Sequence, residues 1–180
     1  MSGPTLADLV LLVPELILTG TALLLILTAR RIRGTPAAMV ATVVAALVAG
    51  LASGWVVSSG TQSGFGGMFT VDGYSQFFKV LIAATLALVA LLSARRTEGE
   101  QDSPGEYHAL LLLASTGMML AVSALDFLTL YLSLELITLC SYTLVGIRVE
   151  RPASNEAAIK YFLVASFASA LLLYGISLIY

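Results

Sequence analysis

The stretch LDFLTLYLSLELITLCSYTLVGI, Leu125–Ile147, decides the fold. It is apolar over a length that crosses a bilayer, since about 20 helical residues rising roughly 1.5 Å each span the hydrocarbon core. One residue breaks the pattern. Glu135 lies about 14 Å from Asp126 and about 20 Å from Arg148 along a helix, close to mid-span. A carboxylate there costs about 2.5–3.5 kcal/mol even on the gentlest insertion scale, and glutamate is too short to snorkel. Helical spacing puts Tyr131, Thr138 and Tyr142 on its side, three hydroxyls able to bond a carboxylate or hold water. An ionisable group at that depth is a functional-site candidate by default. The plain alternative is a protonated structural carboxyl bonded to a neighbouring helix.

The next apolar run carries a second anomaly, Lys160. It stands only about 8 Å past Asn155, within reach of the surface through its four-carbon stem. Glu156 is its i−4 neighbour, so a helix-surface pair worth a few tenths of a kcal/mol competes with a buried role. Spacing leaves both readings open. Phe167 and Tyr174 continue the Lys160 face, and the ASFASA run supplies small residues for close helix contact.

Further out, the chain reads as an all-helical polytopic membrane bundle of about six spans. Of its 180 residues 58% are hydrophobic and 11% charged, whereas a soluble domain carries about 25% charged residues. The apolar segments run from about Leu6 to Ala29, Pro36 to Ser58, Tyr74 to Ala94, Glu106 to Ala124, Leu125 to Ile147 and Asn155 to Tyr180. Runs this long without alternation favour helices, because only helices and closed barrels satisfy their backbone in lipid. No Lys or Arg precedes the first run, so it lacks the basic start of a secretory signal and is expected to be retained as a helix. Cys140 is the only cysteine, which excludes an intrachain disulfide and a cysteine metal site; it reads as a small packing residue. His108, the only histidine, sits beside Glu106 at the start of a run and reads as structural.

The connections alternate in charge. Arg30, Arg31 and Arg33 follow the first run, Arg95 and Arg96 the third, and Arg148 and Arg151 the fifth. The other connections contain no arginine. The positive-inside rule places the arginine-rich loops in the cytoplasm and the N-terminus outside. The outer connection from Gly60 to Gly73, GTQSGFGGMFTVDG, is expected to be a loop, and it lacks the G-K-[ST] ending of a phosphate cradle. Pro104 and Gly105 stop any helix ahead of the fourth run. Asp126 marks a tight outer turn, and Pro152, Ser154 and Asn155 start the last helix. Three charges carry less weight: Glu15, after Pro14, in a first turn near the outer surface, and Asp72 and Lys79 as interfacial groups, with Lys79 able to snorkel.

SLELITLCSYTLVGIR followed by SNEAAIKYFLVASFASALLLYGISLIY resembles subunit N of respiratory complex I, the NADH:quinone oxidoreductase, whose mitochondrial counterpart is subunit 2. LVPELILTG and FTVDGYSQFFKVLI fit the same resemblance, which covers essentially the whole chain; EAAIKYF is its most specific part. The wider group is the antiporter-like proteins, including Mrp-type cation/proton antiporters. The resemblance implies a proton-translocating membrane subunit in which Glu135 and Lys160 form the charged pair of a proton channel. It implies partners in the other membrane subunits of complex I, and NADH, FMN, iron–sulfur clusters and quinone held by those partners, with no cofactor on this chain. It implies a multi-pass place in the cell (inner) membrane and no nucleic-acid role. It also divides the chain into N-terminal helices over 1–105 and, over 106–180, the start of a proton-translocating repeat. Family members are more than twice this length, so a fragment is expected. An Mrp-type Na⁺/H⁺ antiporter subunit and a non-conducting structural fragment are the competing readings.

Overall fold

A computed structural model describes residues 6–29, 31, 36–57, 61–93, 104–179. Among these residues the chain forms seven α-helices and one small hairpin. They are α1 (Leu6–Leu11), α2 (Val13–Thr28), α3 (Ala37–Val57), β1 (Gln62–Gly64), β2 (Phe69–Val71), α4 (Gly73–Ser93), α5 (Pro104–Ser123), α6 (Phe127–Val145) and α7 (Pro152–Ile179). Five of them, α3 to α7, are long and apolar enough to cross a membrane. The chain is a membrane protein.

The first apolar run is not one helix. It breaks at Leu12, whose φ of −95° and ψ of 8° lie outside the helical basin. Pro14 is the cause: its ring lacks an N–H and clashes with the preceding turn, so it is tolerated only in the first turn of a new helix. α2 therefore starts again at Val13 and buries Pro14, Glu15, Leu18, Ala22 and Leu25, one stripe at helical spacing.

Small residues set the packing of the first four long elements. Ala38, Thr42, Ala45, Ala46, Ala49 and Ser53 line the buried face of α3. Ala83, Leu86 and Ala87 of α4 join the same core, with Ala109, Leu112 and Met119 of α5. Between membrane helices the attraction is van der Waals contact, so short side chains that let backbones approach are what hold the bundle. The hydroxyls among them bond back along their own helices, Thr42 to the Ala38 carbonyl at 2.9 Å and Ser53 to Ala49 at 3.0 Å. That satisfies groups lipid could not. Where α5 crosses α6, Gly117 is required: a Cβ there would meet Ile137 Cγ1 at 2.9 Å and the Ser133 carbonyl at 3.0 Å.

The connection expected as a loop from Gly60 to Gly73 contains the antiparallel hairpin β1–β2, paired Gln62 to Val71 and Gly64 to Phe69. Gly66 and Gly67 turn it at φ +69° and +93°, conformations that cost glycine nothing. Phe65 takes φ +54°, uncommon for a side-chain-bearing residue, and its N–H donates to Asp8 Oδ1 at 3.3 Å. The hairpin closes over one end of the bundle. Phe69 bridges to Ala124, and the Leu125 N–H donates to the Met68 carbonyl at 2.9 Å. Phe69, Val71 and Leu11 form a small core beneath it.

Asp126 caps α6, its carboxylate accepting the N–H of Leu128 at 2.8 Å and of Thr129 at 2.9 Å. α6 packs on α5, and α7 on α6, in succession. α7 is nearly all exposed and buries only Ile176. Arg31, Arg148 and Arg151 lie away from the hairpin end, since α2 and α4 begin there and α6 starts at the Met68–Leu125 contact. Arg30, Arg33, Arg95 and Arg96 lie outside the described residues.

Candidate functional site

α6 carries Glu135 at its ninth position of 19, the depth its length requires of a mid-span group. The side chain is half-buried against α7. Ser169 of α7 donates its hydroxyl to Glu135 Oε1 in a short contact. The Tyr131 hydroxyl lies 3.1 Å from the same Ser169 Oγ. Because the single Ser169 proton goes to the carboxylate, Tyr131 is the donor of the second bond. The three groups form one chain of hydrogen bonds, Tyr131 to Ser169 to Glu135, across the α6–α7 seam.

Of the hydroxyls expected beside Glu135, Tyr131 therefore reaches it through Ser169. Thr138 instead returns its proton to the Glu135 backbone carbonyl at 3.0 Å. Tyr142 packs edge-on against Phe162, with ring centres 5.3 Å apart. Ser169 was legible as a small residue of the ASFASA run, but its role as a hydrogen-bond donor needed the pairing of the two helices.

Lys160 does not meet Glu135 in this conformation. Its Nζ lies 2.5 Å from Glu156 Oε1, in a pair whose side chains are 73% and 67% exposed. Nine residues separate Lys160 from Ser169, about two and a half turns, so the two side chains leave α7 on opposite faces and about 13 Å apart in height. Phe167 and Tyr174, the continuation of the Lys160 face, are exposed.

Two charges given little weight on sequence grounds form a buried ion pair. Glu15 lies in the first turn of α2 as expected but is buried there, and Lys79 is fully buried, not snorkelling. Lys79 Nζ stands 2.6 Å from Glu15 Oε1, with side chains 0% and 4% exposed. It also sits over the Phe69 ring, 4.7 Å from the centroid. The hairpin is the reason: it lays Phe69 across the route by which the lysine stem would have reached water. The signal was present in the sequence. Lys79 shares a face with Ala83, Leu86 and Ala90, the small-residue side of α4, and so points into the bundle. His108 is buried as expected of a structural residue, its Nε2 3.3 Å from Ser93 Oγ. Cys140 is buried and free.

The family model described as "NADH:quinone oxidoreductase/Mrp antiporter, TM" matches residues 124–180, the segment that holds α6 and α7. An NADH-quinone oxidoreductase subunit N from Desulfovibrio desulfuricans is 43% identical over 98% of this chain and 35% of its own length. The chain is thus similar to subunit N over nearly its whole length. It spans about a third of the length of the curated subunit N relatives that it matches. Among solved structures, a chain of respiratory complex I from Thermus thermophilus superposes with a TM-score of 0.75 at 28% identity, over 93% of this chain and 36% of that one. A chain of an archaeal respiratory complex, the membrane-bound sulfane sulfur reductase, gives a TM-score of 0.79 at 20% identity, over 96% of this chain and 37% of that one. At that identity the second likeness speaks for the fold alone. The residues that the family model matches include both Glu135 and Lys160.

Proposed function

We propose that this subunit N-type chain moves protons within an NADH:quinone oxidoreductase, with Glu135 as the proton-carrying group. The observation that carries the reading is the mid-span carboxylate of Glu135, reached from α7 by Ser169 and through it by Tyr131. Hydrogen bonds donated to a carboxylate favour its charged form, and their loss favours protonation. Lys160 stands on the far face of α7, paired with Glu156, so it acts in series with Glu135 as a second charged group of the path and must first leave Glu156. In this reading residues 1–105 are the scaffold and 106–180 begin the translocating repeat. NADH, FMN, iron–sulfur clusters and quinone belong to partner subunits. The N-terminus faces outside and the arginine-rich loops face the cytoplasm, with Arg31, Arg148 and Arg151 at the end opposite the hairpin.

The test is a Glu135→Gln substitution in the assembled complex, reconstituted in vesicles. NADH-driven acidification, followed with a pH-sensitive dye, should fall several-fold while the complex still assembles. Full pumping by the variant would overturn the assignment. The Mrp-type reading is kept by the matched family's own description. It requires Na⁺-dependent proton exchange without NADH, which the same vesicles would report.

A further inference from the structure

At the hairpin end of the bundle, α4 and α5 carry further buried polar side chains besides the Glu15–Lys79 pair. Gln76 lies one turn before Lys79 on the same face of α4 and is fully buried. Ser123, the last residue of α5, is also fully buried and immediately precedes Ala124, which bridges to Phe69. Among the described residues, no protein group bonds the Gln76 amide oxygen, the Gln76 amide nitrogen, Ser123 Oγ or Glu15 Oε2. The ammonium of Lys79 has three N–H groups; Glu15 takes one and the Phe69 ring faces the ion, which leaves donor capacity over. The large majority of buried side-chain polar atoms in proteins find a hydrogen-bond partner, and leaving a buried amide unbonded is costly. These open valences at the hairpin end of α2, α4 and α5 call for a ligand.

Charge decides which ligand. Glu15 Oε2, Gln76 Oε1 and Ser123 Oγ are oxygens that could hold a metal cation, but the Lys79 ammonium already stands beside them and repels one. An anion meets the opposite difficulty, since Glu15 neutralises Lys79. The ion pair is closed on itself. What fits is small, neutral and able both to donate and to accept.

We propose that Glu15, Gln76, Lys79 and Ser123 form an internal water-binding site beneath the β1–β2 hairpin. The site is separate from the Glu135 chain of hydrogen bonds and does not depend on what Glu135 does. Water there bonds the free lone pairs of the carboxylate, the Gln76 amide and the Ser123 hydroxyl, each water making about two to four bonds. It solvates the pair in a bundle whose core is otherwise mostly alanine and leucine.

Radiolytic hydroxyl labelling tests this on the full chain in lipid nanodiscs. Irradiation generates a hydroxyl radical from water already at the site, and the radical adds to the nearest ring, Phe69, which is otherwise buried. The reporter is the same residue in two proteins, wild type and a Gln76→Met/Ser123→Ala variant. Labelling of Phe69 should be several-fold higher in wild type, and slow to take up oxygen-18 from the surrounding solvent. Equal labelling in the two would overturn the proposal. A second measurement covers the case of a variant that perturbs the hairpin. Gln76→Met alone nearly keeps the volume. It lowers the melting temperature if the amide is bonded to water, and raises it if the amide is an unmet group in a dry site. A rise would sink the idea.

Discussion

The molecule contains two lysine–glutamate pairs of almost the same geometry, and they stand in opposite surroundings. Lys79–Glu15 has an N···O distance of 2.6 Å and is closed off from solvent; Lys160–Glu156 has one of 2.5 Å and is open to it. The distance between the charges therefore says little about what a pair does. Desolvation decides. In water two such charges gain about 1 kcal/mol, and side-chain ordering and screening take most of it back. Inside a bundle each partner is costly alone, so the two are bound together by the penalty of separating them. The buried pair is a structural commitment between α2 and α4, while the exposed one is free to exchange its partner, as the proton-transfer proposal requires of Lys160.

The strongest way to break this contrast is to remove one member of the buried pair. Lys79→Met leaves Glu15 as an uncompensated buried charge and should cost about 3–5 kcal/mol, read as a large fall in melting temperature. The double variant Glu15→Leu/Lys79→Met should recover part of that stability, because it removes both charges together. A double variant no better than the single one would show that the pair is not a desolvated unit.

An intermediate case sharpens the comparison. Asp126 is an acid held by the α6 N-terminus, not by a cation. Partial burial pushes its carboxyl up, but bonds from the Thr129 hydroxyl and N–H and the Leu128 N–H outweigh this, so the net shift is below the ordinary 3.8. A folded-state pKa that is depressed adds stability above the unfolded value, which is lost as pH falls through the folded one. Asp126→Ala should cost about 1 kcal/mol at neutral pH, and the gap between variant and wild type should close on acidification below that ordinary value. A gap independent of pH would mean that the cap acts without its charge.

The smallest effect belongs to the exposed pair. Glu156→Gln should change stability by less than about 0.5 kcal/mol, and added salt should erase the difference. A loss comparable to that of Lys79→Met would mean that Lys160 is not held at the surface.

The spans were legible because a bilayer imposes a length, and α3 to α7 meet it. The depth of Glu135 followed from counting along one helix. The α1–α2 break was foreshadowed only by Pro14, whose effect depends on whether the chain resumes as a helix. The hairpin was hidden because short strands rich in glycine carry little alternation. With it went the burial of Lys79, since snorkelling is blocked only by whatever covers the stem.

Sequence by itself determined the membrane class, the number and order of apolar runs, the tight turn at Asp126 and the mid-span position of Glu135. All of these depend on local spacing along the chain. Tertiary structure alone decided that Lys79 meets Glu15 under the hairpin, that Ser169 is the partner of Glu135, and that the Ser169 face of α7, not the Lys160 face, meets α6 there. Those outcomes depend on what a neighbouring element places beside a side chain, and the energy of a charge in a membrane is set by its neighbours.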